Sequence, residues 1–383
     1  MNRLFAFVWL VIIGSNGAQY YSQEARAAVI LAGAAYFVFV FHRELLRLVF
    51  FKDYLLVLLM LVVPFLLMLL SDRSFERGVY TSQIANALVF VVASVLALRT
   101  DLDRTLALAA FVIVAVGAAL NLYELFVQNN IWSIAPGRSA GFYVNPNLSS
   151  EALLGYGLIF LTARVAKLRT VDLILIALVV VGVFATFSRT GILASLVLLT
   201  TAALMRVRRE YVMRTFAGAV VISLVAFGFV SYVVSNLDLS KDATVRISSL
   251  IEAGGVGDYE KDRGAATSAA LDLIDEDPVF GGGVQTIYEM PEGPHNMFLA
   301  MMVDYGIFGL IVYLVVIIRL VMTARRANRD LSGTVWVYVG WLIIFSLASH
   351  NLLGNAATLP LMGFALARAY QIQSSAQSRC FDR

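Results

Sequence analysis

Long apolar runs separated by short polar stretches recur along the whole chain. Most are close to the roughly 20 residues that an α-helix needs to cross a bilayer. We predict a helix at each run, over residues 4–19, 26–41, 54–70, 80–98, 105–127, 148–163, 171–187, 190–205, 215–234, 295–318, 334–349 and 353–371. The pattern therefore predicts an all-α polytopic membrane protein with about 12 transmembrane helices.

Composition excludes an ordinary soluble domain. Of the 383 residues, 60% are hydrophobic and only 14% are charged, against about 45–50% and about 25% in average soluble chains. We therefore interpret residues 1–383 as a single membrane domain. The first apolar run lacks a convincing small-residue cleavage site, so we interpret it as a span and not as a signal peptide. One cysteine, Cys380, offers neither an intramolecular disulfide nor a cysteine-based zinc site.

The distribution of basic residues predicts the topology, because cytoplasmic loops carry an excess of Lys and Arg. With both termini in the cytoplasm, 20 of the 29 basic residues face that side. The outer side then holds a smaller loop, 128–147, and a long periplasmic loop, 235–294, with a net charge of −8. In the long loop we predict a short amphipathic helix at Gly264–Asp275 and a turn region at Gly281–Gly283.

Two arginines stand out on the predicted outer face of the first half. Arg138 precedes Asn145-Pro146-Asn147, and a guanidinium and the first amides of a helix both suit an anion such as phosphate. A turn followed by a helix N-cap is the ordinary interpretation of this segment. Arg189 lies between two apolar runs with almost no loop, where a guanidinium must anchor at the interface, pair or line a wet cavity. We favour the cavity.

Two further groups lie in or after the long acidic loop. Arg263 precedes the predicted amphipathic helix, and pairing with a neighbouring carboxylate is its ordinary interpretation. His295, followed by Asn296, lies at the start of a helix, whose positive dipole end favours a neutral imidazole that can accept a proton. A structural histidine is an equally frequent alternative. The two other histidines are predicted on the cytoplasmic side (His42) and in a short outer turn (His350).

Three carboxylates, Glu124, Glu151 and Asp304, lie within or near the ends of apolar runs. A charged group in such a place faces a cavity or takes part in helix packing through hydrogen bonds. We favour packing for all three.

The ordered motifs resemble those of the O-antigen ligase/Wzy polymerase family of bacterial polytopic membrane glycosyltransferases. The resemblance is strongest over about 138–310 and rests on the order of the motifs. They are GRSAGFYVNPN (Gly137–Asn147), FSRTG (Phe187–Gly191), Asp262-Arg263 followed by a helix and DPVFGGG (Asp277–Gly283), HNMFL (His295–Leu299) and YGIFG (Tyr305–Gly309).

The resemblance implies metal-independent transfer of a glycan from an undecaprenyl-diphosphate carrier to an acceptor hydroxyl at the periplasmic face of the inner membrane. No cofactor and no nucleic acid are expected. Arg189 and Arg263 would hold the diphosphate and His295 would deprotonate the acceptor. The remaining predicted site residues would bind substrate or, for Asn296, orient His295: Arg138, Asn145, Asn147 and Asn296.

Two alternatives stay open. We favour an O-antigen ligase, with lipid A-core or a similar acceptor, over a Wzy-type polymerase, which would extend a carrier-linked glycan. A transporter or lipid flippase would also suit twelve spans with charges facing a cavity. Against transport stand the lack of a visible internal repeat and the placing of all motif residues on one side of the membrane.

Overall fold

The computed structural model describes residues 2–70, 77–128, 130–163, 169–204, 258–326 and 329–381. All regular elements within these ranges are helical: α1 (Asn2–Gly14), α2 (Gly17–Tyr21), α3 (Gln23–Val40), α4 (His42–Val49), α5 (Lys52–Leu70), α6 (Arg77–Leu98), α7 (Asp103–Phe126), α8 (Pro146–Ala163), α9 (Thr170–Ala185), α10 (Arg189–Leu204), α11 (Asp258–Glu276), α12 (Thr286–Glu289), α13 (Met297–Arg326), α14 (Arg329–Ser346), α15 (Leu359–Phe381) and two 3₁₀ turns. The predicted helix 215–234 and the first part of the long loop, up to residue 257, lie outside the described residues.

Among the described residues, four helical segments are long and apolar enough to cross a membrane: Lys52–Leu70, Gly78–Leu98, Thr100–Phe126 and Met297–Arg326. A fifth would be formed by α3 and α4 together, which meet at a bend of 89°. Shorter apolar helices include α1, α9 and α10. The all-helical, multi-pass character is confirmed. The number twelve and the long periplasmic loop remain predictions.

The first predicted helix has a wrong C-terminal boundary. Its apolar run continues to residue 19, but α1 ends at Gly14 and a separate short helix begins at Gly17. Asn16 adopts a left-handed conformation (φ 59°) between them, and its Nδ2 donates to the carbonyl of Phe142 at 2.9 Å. A contact with a distant segment therefore ends a helix that local hydropathy would continue.

The last predicted helix, 353–371, is wrong at both ends. The Asn355 side chain accepts a hydrogen bond from the Ala357 amide at 2.8 Å, which keeps the chain in a turn until α15 begins at Leu359. The helix then continues to Phe381 through the polar tail. Gln371 and Gln373 dock this tail by donating to the Leu98 carbonyl and to the Thr323 hydroxyl, at 3.1 and 2.9 Å.

The chain divides into two compact units, Met1–Arg26 with Arg99–Gly255 and Ala27–Leu98 with Val256–Arg383. In the first, α7 packs against α1, α8 and α9. Glycines permit the close contacts: a Cβ on Gly117 would lie 2.7 Å from Leu153, and one on Gly157 would lie 2.8 Å from Val179. Small residues at helix interfaces are typical of membrane helices, which gain little from hydrophobicity alone.

In the second unit, α15 packs along α6, and α13 packs against α14. The predicted amphipathic helix Gly264–Asp275 is confirmed within α11, which also contacts α13. Its inner stripe is Ala266, Ala270 and Ile274, which are buried and recur every four residues. The acidic loop thus contributes a helix that is tied to the helix following His295.

Candidate active site

Glu124, at the end of α7, organises the smaller outer loop. Its carboxylate is buried and accepts four backbone N–H groups of that loop: Trp132 (2.9 Å), Ser133 (2.6 Å), Ala140 (2.7 Å) and Gly141 (3.0 Å). A carboxylate at the end of an apolar helix thus holds the loop to the helix bundle. The interpretation of Glu124 as a hydrogen-bonded packing residue is confirmed.

Arg138 joins the first two motifs to one another. Its side chain is buried, with Nε donating to the Thr186 carbonyl at 2.9 Å and Nη2 donating to Asn147 Oδ1 at 2.8 Å. Asn145 Oδ1 accepts the Asn147 amide at 2.9 Å and so caps α8, as the predicted N-cap requires. These contacts give Arg138, Asn145 and Asn147 a framework function. Their predicted contact with substrate remains a prediction.

The FSRTG motif forms a tight turn between α9 and α10. Phe187 is left-handed (φ 49°), and the Ser188 hydroxyl accepts the Gly191 amide at 3.2 Å, which caps α10. A Cβ on Gly191 would lie 2.5 Å from Ser150 of α8, so only glycine permits this packing. Arg189 is the first residue of α10 and is exposed. The turn therefore places Arg189 at the start of α10, and the contacts of Ser188 and Gly191 fix the backbone on both sides of it.

The two glycine-rich motifs of the second unit meet at a break in α13. Gly306 has φ 61° and ψ −156°, a conformation that is essentially restricted to glycine. The Pro278 carbonyl accepts the Ile307 amide at 3.0 Å, and the Gly282 amide donates to the Val303 carbonyl at 2.8 Å. A Cβ on Gly281 would lie 2.5 Å from the Gly306 nitrogen. The loop therefore supplies hydrogen-bond partners to backbone groups of α13 at the break in the helix.

Asp304 reinforces this junction. Its side chain is buried, and Oδ1 accepts the Ile287 amide at 2.9 Å, which fixes α12 against α13. The packing interpretation is confirmed for Asp304 as well.

His295 lies in the turn directly before α13. It is half-buried and left-handed (φ 46°), an uncommon conformation for a residue with a side chain. Asn296 Oδ1 accepts the Phe298 and Leu299 amides at 2.9 and 3.3 Å, so this side chain caps α13. The predicted helix start at residue 295 is therefore two residues early. The cap orients the backbone beside His295.

Sequence reasoning missed one neighbour of His295. The ring of His350, from the turn after α14, lies with its centroid 5.5 Å from that of His295 and at 62° to it. Burial, followed by the proximity of His295, lowers the pKa of His350 from 6.5 to about 4. The only signal in the sequence was that both histidines were predicted on the outer side.

The predicted site residues divide between the two units. Arg138, Asn147 and the FSRTG turn are in direct contact in the first unit. His295 and Asn296 are neighbours in the second unit, and the backbone of Arg263 lies in the first half of α11 of the same unit. The side chain of Arg263 lies outside the described residues. Within the described part of the chain, no group of three or more His, Cys, Asp or Glu side chains suits a metal ion, and metal independence remains a prediction.

Comparison with known proteins gives a family match and likenesses to solved structures. Residues 174–314 match the family described as O-Antigen ligase. No curated protein matches the chain. Among the solved structures that match is a chain from "Structural coordination of polymerization and crosslinking by a peptidoglycan synthase complex", with 16% identity, a TM-score of 0.45, and coverage of 84% of this chain and 97% of that one.

The family match covers the part of the chain that contains Arg189, Arg263 and His295. It also includes the glycine motifs that meet at Gly281 and Gly306. The resemblance read from the ordered motifs is thus supported by an independent comparison: residues 174–314 match the O-antigen ligase family, in a chain with several helices that could cross a membrane.

Proposed function

We propose that the protein transfers a glycan from a polyprenyl-diphosphate carrier to an acceptor hydroxyl at the periplasmic face of the bacterial inner membrane, as an O-antigen ligase. The observation that carries the proposal is the family match over 174–314, because it spans the two arginines and the histidine that this reaction needs. Both chain termini would lie in the cytoplasm.

The reaction requires a base and a cationic partner for the leaving group. The acceptor oxygen attacks the anomeric carbon of the glycan, and the bond from that carbon to the diphosphate oxygen breaks. His295 takes the proton of the acceptor hydroxyl at a ring nitrogen. The electron pair leaves with the carrier diphosphate, whose added charge Arg189 and Arg263 would stabilise. The proton then passes from His295 to solvent.

The local geometry supports these assignments in two ways. Arg189 is exposed at the first turn of α10, where helix amides add to the attraction for an anion. His295 precedes the positive end of α13, which favours its neutral, proton-accepting form. Arg138 contributes through the turn that it braces against Thr186.

The experiment is a transfer assay with purified full-length protein in detergent or proteoliposomes. A polyprenyl-diphosphate glycan is supplied with lipid A-core, with a second carrier-linked glycan, or with both, and the products are separated by gel and mass spectrometry. A ligase labels lipid A-core. Transfer only to the carrier-linked glycan contradicts the ligase assignment and identifies a polymerase.

Arginine variants test the diphosphate contacts. Arg189→Ala and Arg263→Ala should each reduce transfer by at least about 100-fold, with an unchanged thermal midpoint. Arg43→Ala, at an exposed position of α4, is the matched control and should transfer normally. Near-normal transfer by either Arg189→Ala or Arg263→Ala would remove that residue from the mechanism.

A further inference from the structure

His350 lies in the turn between α14 and α15 and has no place in the transfer mechanism above. Its ring nevertheless meets the His295 ring edge to face, with centroids 5.5 Å apart. Aromatic rings at this separation and tilt attract each other and restrict each other's rotation. The base of the proposed reaction therefore has a defined neighbour from a remote part of the chain.

The backbone before His295 is also shaped by the His350 ring. A Cβ on Gly293 would lie 2.5 Å from His350 Cε1 and 2.6 Å from Nε2, so the turn can press against the ring only because residue 293 is glycine. His295 itself is held at φ 46°. A left-handed backbone is unfavourable for a non-glycine residue and persists only where its surroundings enforce it.

His350 is itself held firmly. The Tyr288 ring lies with its centroid 6.3 Å from that of His350, and the Tyr288 hydroxyl donates to Asn351 Oδ1 at 2.8 Å. Asn86 of α6 donates to the carbonyl of Gly354 in the same turn at 2.9 Å. The His350 turn is thus tied both to α12 and to a long apolar helix, which makes it a rigid surface for His295.

The charge state of the pair suits a base at His295. Burial, and after it the proximity of His295, lower the pKa of His350 to about 4. At neutral pH the His350 ring carries no charge. A neutral His350 ring does not repel the positive charge that would develop at His295 during the proposed reaction.

We propose that His350 is a positioning residue, whose ring holds the turn Gly293–His295, with His295 left-handed, and orients the His295 imidazole toward the acceptor hydroxyl. This proposal rests on the proposed function of His295 as the base. The ring of His350 acts by packing against the turn and against the His295 ring, and it does not contact substrate.

The test compares His350→Ala with His350→Phe in the transfer assay, using the full-length protein. Loss of the ring should lower kcat roughly 10- to 100-fold, because a small misplacement of a catalytic group has effects of this size. KM for the donor should stay unchanged. The phenylalanine variant keeps a ring at this position and should recover most of the lost kcat. His42→Ala, an exposed histidine of α4, is the control and should behave as wild type.

A second variant approaches the same contact from the other side. Gly293→Ala pushes a methyl group into the His350 ring and should reduce kcat without changing KM, even if His350→Ala fails to fold. Wild-type kcat in His350→Ala and Gly293→Ala, or an equal loss in His350→Phe and His350→Ala, would overturn the positioning proposal. If His295→Ala transfers normally, the proposed function itself fails. If His295→Ala is inactive while His350→Ala is normal, only the positioning proposal fails.

Discussion

The two motif regions differ in the burial and the contacts of their polar side chains, as Arg138 and His295 illustrate. In the first unit, Arg138 is buried and its guanidinium donates to Thr186 and Asn147. In the second, His295 is half-buried in a left-handed turn against another imidazole ring. Burial and hydrogen-bond partners therefore place Arg138 in the framework of the first unit, whereas His295 has the exposure that its proposed function requires.

Among the predicted variants, replacement of the framework residue Glu124 should lower stability most. Glu124→Ala should lower the free energy of unfolding by about 3–5 kcal/mol, because four backbone N–H groups lose their acceptor. Glu124→Gln should be intermediate, since its amide group offers one acceptor oxygen instead of two. Thermal unfolding in detergent measures the change, with the exposed Glu276→Ala as control within about 0.5 kcal/mol. A thermal midpoint for Glu124→Ala equal to that of the control would contradict the framework assignment.

The glycine junction of the second unit should respond nearly as strongly. Gly306→Ala places a methyl group against the backbone of Val279 at a positive φ, and we expect a loss of about 2–4 kcal/mol. Gly264 of α11 is the matched control, because a Cβ there meets nothing within 4 Å. Gly264→Ala should be neutral or stabilise by up to about 1 kcal/mol. Equal thermal midpoints for the two variants would show that the close approach of Gly306 to Val279 does not contribute to stability.

Substitution of Arg138 tests whether this arginine stabilises the fold or binds substrate. Arg138→Lys replaces the planar guanidinium, whose Nε and Nη2 donate to two separate acceptors, with a single ammonium nitrogen and should cost about 1.5–3 kcal/mol of stability. Arg43→Lys, at an exposed position, should cost nothing measurable. In the transfer assay, activity should fall only as far as the folded fraction falls. Loss of transfer at an unchanged thermal midpoint would instead make Arg138 a substrate-binding residue, as the family resemblance implies.

The smallest expected effect is the pH dependence contributed by His350. Its pKa is about 4 in the folded protein and 6.5 ordinarily, so the unfolded chain binds the proton first as the pH falls. The stability that comes from burying neutral His350 is therefore complete above pH 6.5 and is lost progressively down to pH 4. His295 and Tyr288 are the titratable groups whose rings face it.

His350→Phe removes this titration while keeping a ring. The difference in thermal midpoint between wild type and His350→Phe should consequently change, to the disadvantage of wild type, between pH 6.5 and pH 4. A difference that stays constant over this range would contradict the lowered pKa of His350.

Much of the fold could be predicted because apolar runs report helices directly. The runs at 54–70, 80–98 and 105–127 correspond to α5, α6 and α7 within a few residues. The boundaries at Asn16 and Asn355 could not be predicted, since single polar side chains decide them through hydrogen bonds to the folded chain. Hydropathy carries no information about such contacts.

The candidate site could be predicted as a set of residues but not as a set of contacts. Arg189 and His295 were found because charged and titratable side chains are rare among apolar runs. The contact of His295 with His350 and that of Gly281 with Gly306 join segments that no local pattern connects. Such contacts between distant segments become visible only in the structure.

The initial rate of glycan transfer by His295→Ala, measured beside His42→Ala at matched thermal midpoints, decides whether His295 is the base of the proposed reaction. With the base removed, the rate should fall by about 10²- to 10⁴-fold, whereas His42→Ala should retain the wild-type rate. A His295→Ala protein that is folded and transfers the glycan at a near-normal rate would contradict the account.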